Sequence, residues 1–271
     1  MMPTLGLKAS TSFEQLNERL QYRPSVFEFY TTAADMTPSG LAHLKAMIAY
    51  VKATGVRTIV IHHPMAFNHH HNEISVSALA DPESYQFMMT STESLIELAV
   101  ACNVQVLIHG AYSQTVPNKR ELMAARRRVF KRLDYFQALG GNHVMIENST
   151  SPVFDFGDPE IEREVMAHHY RLCYDTSHGF IVLQGNNDQL VRSIRRLAPQ
   201  TVHYHLVDSM GLTHDSLPLG RGKIDWYRVM GVVNPTASNI YEIDLADQND
   251  CQEMRDSHAY LTQLLTTQQV S

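Results

Sequence analysis

The sequence predicts an α/β chain folded as a single (β/α)8 barrel over residues 1–271, and three observations carry that prediction. Eight short apolar runs alternate strictly with amphipathic stretches, at a spacing of roughly 30 residues. No low-complexity linker divides the chain. Its 271 residues, 44% of them hydrophobic, suffice for one domain with a substantial core.

The elements follow in order. TLGLKA, from about residue 4, reads as the first strand, and FEQLNERL behind it carries apolar residues at helical spacing. SVFEFY, from about residue 25, leads to a helix expected from Gly40 to Thr54, with Thr37-Pro38 as its start signal and Gly55 as its stop. RTIVIH, from about residue 57, ends in the longest insertion, about residues 64 to 83. A barrel places an active-site loop there. The helix STESLIELAVAC comes next, then VQVLIH from about residue 104 and the helix KRELMAARRRVFKRL. HVMIEN from about residue 142 pairs with PEIEREVMAHHY, and RLCYD from about residue 171 with DQLVRSIRRL. TVHYHL from about residue 201 pairs with IDWYRVMGV, and NIYEID from about residue 238 with CQEMRDSHAYLTQLL.

Composition narrows the function. With 22 basic and 28 acidic side chains the formal charge is -6, which disfavours a nucleic-acid partner unless a local basic strip overrides it. The densest cationic run, Arg126, Arg127, Arg128, Lys131 and Arg132, reads as the solvated face of the fourth helix. MMPTLGLKAS lacks a cationic flank followed by an apolar stretch, and no run approaches the roughly 20 apolar residues of a membrane span. A cytoplasmic protein without a membrane partner is expected, and a homo-oligomer stays open. Cys102, Cys173 and Cys251 lack the paired spacing of a zinc knuckle or redox site and read as buried thiols.

Barrel active sites lie at the C-terminal mouth, where side chains from different strands converge. His62, His109, Glu147, Asp175, His205 and Glu242 all stand at that end of their runs. A lone Glu there is ordinarily a cap or a surface partner. The joint pattern of carboxylates and imidazoles is what points to a metal. Strand alternation turns His203 the same way as His205 but one layer deeper, so His205 is the expected ligand. Glu28, inside VFEFY, is expected either to reach the mouth or to pair with an arginine inside the barrel.

These residues resemble the xylose isomerase-like barrels, which include sugar isomerases and epimerases, inosose-processing enzymes and the endonuclease IV repair enzymes. The resemblance covers essentially the whole chain, most clearly from the second strand onward. It rests on Glu147 in IEN, Asp175 and His178 in DTSH, His205 in HLVDS, Glu242 in YEI and the G-x-G-x-I-x-W pattern of LPLGRGKIDW. It implies one divalent ion, manganese, magnesium, cobalt or zinc, held by Glu147, Asp175, His205 and Glu242. Glu147 and Glu242 would also be the catalytic acid and base, with the metal stabilising an enediolate. His178, Asp208 and His214 would contact a small, sugar-like substrate.

The endonuclease branch implies more. IHHPMAFN and VLIHG resemble stretches in which His62 and His109 would hold a second metal bridged by Glu147, giving two or three zinc ions and cleavage of abasic DNA. The chain departs from that branch at THDSLPLGRG, where His214 is displaced and Ser216 falls near the expected histidine. It also departs from the ketose 3-epimerases, with Val153 and Gly211 where those place a Glu and an Arg. Two milder expectations concern the mouth: one of His69, His70 and His71 reaching the metal or substrate, or the three serving as a lid that hydrogen-bonds a sugar hydroxyl, and Trp226 with Phe67 as pocket walls. A metal-dependent isomerase or epimerase is thus set against an endonuclease IV-like phosphodiesterase and a sugar-binding barrel without catalysis.

Overall fold

The structure, a computed structural model, describes residues 3–112 and 116–267. All eight expected strands form. They are β1 (Gly6–Ala9), β2 (Val26–Tyr30), β3 (Thr58–His62), β4 (Gln105–His109), β5 (Val144–Glu147), β6 (Leu172–Asp175), β7 (Thr201–Leu206) and β8 (Ser238–Tyr241). They pair in parallel and in chain order, which is the arrangement right-handed βα crossovers impose. The eight-stranded parallel barrel with surrounding helices is therefore as the alternation predicted.

Two apolar layers hold it. Val60, Leu107, Met145 and Cys173 fill the interior below the mouth, and a larger cluster packs the outer strand faces against the helices. Each fully buried Leu, Ile, Val or Phe contributes on the order of 1.5–3 kcal/mol, so these layers dominate the favourable side of folding. Helix Asn187–Leu197 shows how the pattern acts locally. Leu190, Val191, Ile194 and Leu197 recur at i, i+1, i+4 and i+7 and are buried, while the Asn186 side chain accepts from the Gln189 N–H to cap the first turn.

The ladder does not run from β8 back to β1; their backbones meet by close approach. A Cβ on Gly6 would stand 1.8 Å from the carbonyl oxygen of Asn239, so only glycine lets the first strand lie there. The Asn239 side chain donates to the Thr4 carbonyl across the same seam.

Three segments differ from the sequence reading. The third long helix starts at Pro82, not within STESLIELAVAC, because Asp81 caps it by accepting from the Ser84 N–H and Pro82 fits the first turn. The segment after Asp175, to which the sequence reading assigned no element, is a helix, Thr176–Val182, with Asp175 as its cap. The Arg126–Arg132 run is only partly solvated. Arg126 donates to the Pro152 carbonyl and pairs with Asp158, while Arg128 and Arg132 donate to the Ser75 and Ile74 carbonyls, bracing the long insertion. Within that insertion, Ala66–Phe67 and His70–His71 form a small hairpin, turned by Asn68 and His69 at positive φ. Among the described residues, no helix is long and apolar enough to cross a membrane.

Candidate metal centre

Glu147 and Asp175 close their strands, His205 is the last residue but one of β7, and Glu242 follows β8 directly. One donor atom from each of the four lies within 4.8 Å of every other, so residues up to 95 positions apart converge on a common centre. Nδ1 of His205 is the hub. It faces Oε2 of Glu242, stands 3.1 Å from Oε1 of Glu147 and 4.0 Å from Oδ2 of Asp175. The other ring nitrogen is held by Oε2 of Glu28 at 3.0 Å. A metal-ligating histidine is oriented in this way, with its second nitrogen anchored on a carboxylate.

The electrostatics fit a dication. Burial opposes ionisation of Glu147 and Glu242, yet His205 together with His62 and His109 at Glu147, and His205 together with Lys8 and His62 at Glu242, hold both carboxyls well below their usual range. Burial pushes Asp175 up, and the like charges of Glu242 and Glu147 add to that against the attraction of His178. Burial likewise opposes charge on His205, but Cys173 and the carboxylates of Glu242, Glu28 and Glu147 keep its pKa well above normal. Three carboxylates and one imidazole nitrogen around a buried centre are an oxygen-rich mixed set suited to a divalent ion. No single side-chain cation offsets three converging negative groups.

Neighbours fix these side chains. Asn148, directly after Glu147, accepts from the Asp175 N–H at 2.7 Å and donates to the Asp175 carbonyl, while its own carbonyl accepts from Nδ1 of His178. Oδ1 of Asp175 accepts from the His178 N–H and the Ser177 hydroxyl, which leaves Oδ2 toward the centre. Lys8 pairs with Glu28 at 2.9 Å and with Glu242. Sequence reasoning passed over Lys8 and Asn148. A charged side chain in the middle of an apolar strand, as in GLKA, was the available signal for Lys8.

The expected second-metal pair does not form one group. His109 gathers with Glu147 and His178, whereas His62 gathers with Glu28 and Glu242, although its Nε2 lies 3.2 Å from Oε2 of Glu147. The register explains the split. His62 is paired with Leu107, so His109 stands two residues nearer the mouth. His203 sits one layer below His205, with Nδ1 on the Ser238 hydroxyl and Nε2 3.3 Å from Glu28. Glu28 pairs with Lys8 and these two histidines, not with an arginine.

His178 and His214 face one another at the rim, with their Nε2 atoms 2.8 Å apart. Asp208, expected as a substrate contact, is engaged by its own loop. It is fully buried, and its carboxylate accepts from the backbone N–H groups of Ser209, Gly220 and Ile224 and from Nε1 of Trp226. This accounts for the G-x-G-x-I-x-W pattern. A Cβ on Gly222 would stand 2.2 Å from Oδ1 of Asp208, and Gly220 has φ +83°. Trp226 is thus locked under its loop, and Phe67 stacks on Phe87, so the two do not wall one pocket. His71 is exposed and stacks on Tyr112, which stacks in turn on His109, tying the hairpin to the rim.

No curated protein sequence is significantly similar to the chain. Solved structures are similar in fold at low identity. A D-tagatose 3-epimerase-like protein superposes with a TM-score of 0.74 at 14% identity, covering 99% of this chain and 100% of its own. The 3-keto-D-glucoside 4-epimerase YcjR from E. coli gives 0.65 at 17% identity, covering 96% and 99%. An IOLI protein with a bound zinc atom gives 0.67 at 15% identity, covering 96% and 98%. Residues 25–264 match the model of one family, described as xylose isomerase-like TIM barrel, and with the barrel and the mouth cluster in place the chain belongs to that family.

Proposed function

We propose that the chain is a divalent-cation-dependent isomerase or epimerase of a small sugar, polyol ketone or related hydroxycarbonyl compound. The observation that carries this reading is the convergence of Glu147, Asp175, His205 and Glu242 at the barrel mouth. Similar folds that include sugar epimerases and a zinc-bound protein support it.

Asp175 and His205, with one oxygen from each glutamate, would hold the cation. When bound, it would polarise a substrate carbonyl and its neighbouring hydroxyl and so acidify the C–H between them. Glu147 ends β5 and Glu242 follows β8, three strands apart, so their carboxylates approach the mouth from different sides. One would remove the proton and the other return it to the opposite face, a contribution of roughly 10²- to 10⁴-fold from positioned proton transfer. His178 and His214, at the rim, would orient substrate oxygens. Glu147→Gln and Glu242→Gln are expected to fold normally and to lose solvent deuterium exchange at the substrate carbon. Retained exchange in both variants would remove this mechanism.

A phosphodiesterase reading also has a specific observation in its favour. His109, Glu147 and His178 form a second donor group that shares Glu147 with the first. Elemental analysis and an abasic-duplex assay separate the two readings. One ion per chain without cleavage supports the isomerase, and two or three ions with cleavage support the hydrolase.

A further inference from the structure

Lys8 brings a buried ammonium into contact with the site carboxylates. Its Nζ lies 2.9 Å from Oε1 of Glu28 and also touches Oε1 of Glu242. The other oxygen of Glu28 holds Nε2 of His205, and the other oxygen of Glu242 faces Nδ1 of the same ring. Lys8, Glu28, His205 and Glu242 therefore form a closed circuit. It spans β1, β2, β7 and the residue after β8, across the seam where the ladder is missing.

We propose that Lys8 is a positioning residue that shares Glu242 with the divalent cation and weakens that cation's binding. This rests on the metal-centre reading above. One oxygen of Glu242 is committed to the ammonium, so only the other is offered to the centre. A fixed positive charge one carboxylate away from a dication repels it, and inside a barrel that repulsion is poorly screened. Glu147, Asp175 and Glu242 would otherwise set three carboxylates around one ion. Lys8 offsets part of that charge, so the ion is held firmly enough to polarise a substrate and still exchanges with solvent.

The test is Mn²⁺ titration of the full-length, metal-free chain, followed through the electron paramagnetic resonance signal of free Mn²⁺. Lys8→Met is expected to bind Mn²⁺ at least about tenfold more tightly than the wild type, while its melting temperature falls because Glu28 loses the ammonium among its partners. Lys8→Arg, which keeps the charge, is expected to match the wild-type affinity. A merely structural lysine would lower affinity and stability together. Unchanged or weaker Mn²⁺ binding by folded Lys8→Met overturns the proposal. Should that variant fail to fold, Lys8→Gln keeps a donor toward Glu28 without the charge and is read in the same way. A wild-type chain that binds no Mn²⁺ overturns the metal-centre reading and the role of Lys8 with it. Wild-type binding with no tightening overturns the role of Lys8 alone.

Discussion

Replacing Asp208 by alanine should unfold the loop after β7 before it affects any substrate contact. Four donors converge on this carboxylate: the N–H groups of Ser209 at 2.9 Å, Gly220 at 2.8 Å and Ile224 at 3.2 Å, and the Trp226 indole at 2.9 Å. A hydrogen bond to a charged group contributes about 1.5–3 kcal/mol, so a bare sum would be roughly 6–12 kcal/mol. The sum overstates the cost. Gly220 is exposed, so water can reach its N–H once the side chain is gone, and contacts that share one carboxylate are not additive. A loss of about 3–5 kcal/mol is expected, at the severe end for a single substitution. Urea denaturation of the metal-free protein, monitored by the fluorescence of Trp226, the single tryptophan, measures it. Gly222→Ala is an independent probe, because its Cβ would stand 2.2 Å from Oδ1 of Asp208 and 2.5 Å from the Ser209 carbonyl. It should cost about 2 kcal/mol or more through overpacking. If both variants lost less than about 1 kcal/mol, the loop would not depend on Asp208 and the reasoning would fail.

Further outcomes follow from the same physics. Burial, with the charge of His62 adding to it, lowers the His63 pKa from 6.5 to about 3, and the Asn72 amide donates to Nε2 of the neutral ring. The folded chain then binds fewer protons than the unfolded chain between those values. Stability contributed by neutral His63 is complete above about pH 6.5 and is lost as pH falls toward 3, at up to about 1.4 kcal/mol per pH unit. A urea midpoint that does not flatten on the acid side in His63→Gln would contradict this. Chelation should lower the melting temperature of the loaded protein, since a ligand at about 100 times its Kd stabilises by about 2.7 kcal/mol. Glu242→Gln should erase most of that difference, and a chelator-insensitive melting curve would count against the centre. Arg132→Ala should speed amide exchange in residues 72 to 76 with a global cost of about 1 kcal/mol or less, because Arg132 donates to the Ile74 carbonyl there. Exchange confined to wild-type rates would show that the arginine is dispensable to the insertion.

The barrel was legible in the sequence because period and composition are local properties. Runs such as RTIVIH and VQVLIH declare strands, and amphipathic stretches such as DQLVRSIRRL declare the helices that cover them. Chain order then fixed the topology, since consecutive βα units wind one way. The four residues of the mouth cluster could be picked out because each stands at, next to or directly after the end of an apolar run, so the strand end itself marks the mouth. Partner choice was not legible. Asp208 looked like a substrate contact beside His205, yet a carboxylate's use depends on which donors reach it, and Gly220, Ile224 and Trp226 come back to it from 12 to 18 residues later. His62 and His109 looked equivalent until the β3/β4 register set them two residues apart in height. Lys8 meets Glu242 from 234 residues away, across a seam that exists only when the barrel closes. Periodicity reports which face a residue takes, whereas the depth of a side chain and the identity of its neighbour are set by register and closure, which sum over the whole ring of strands.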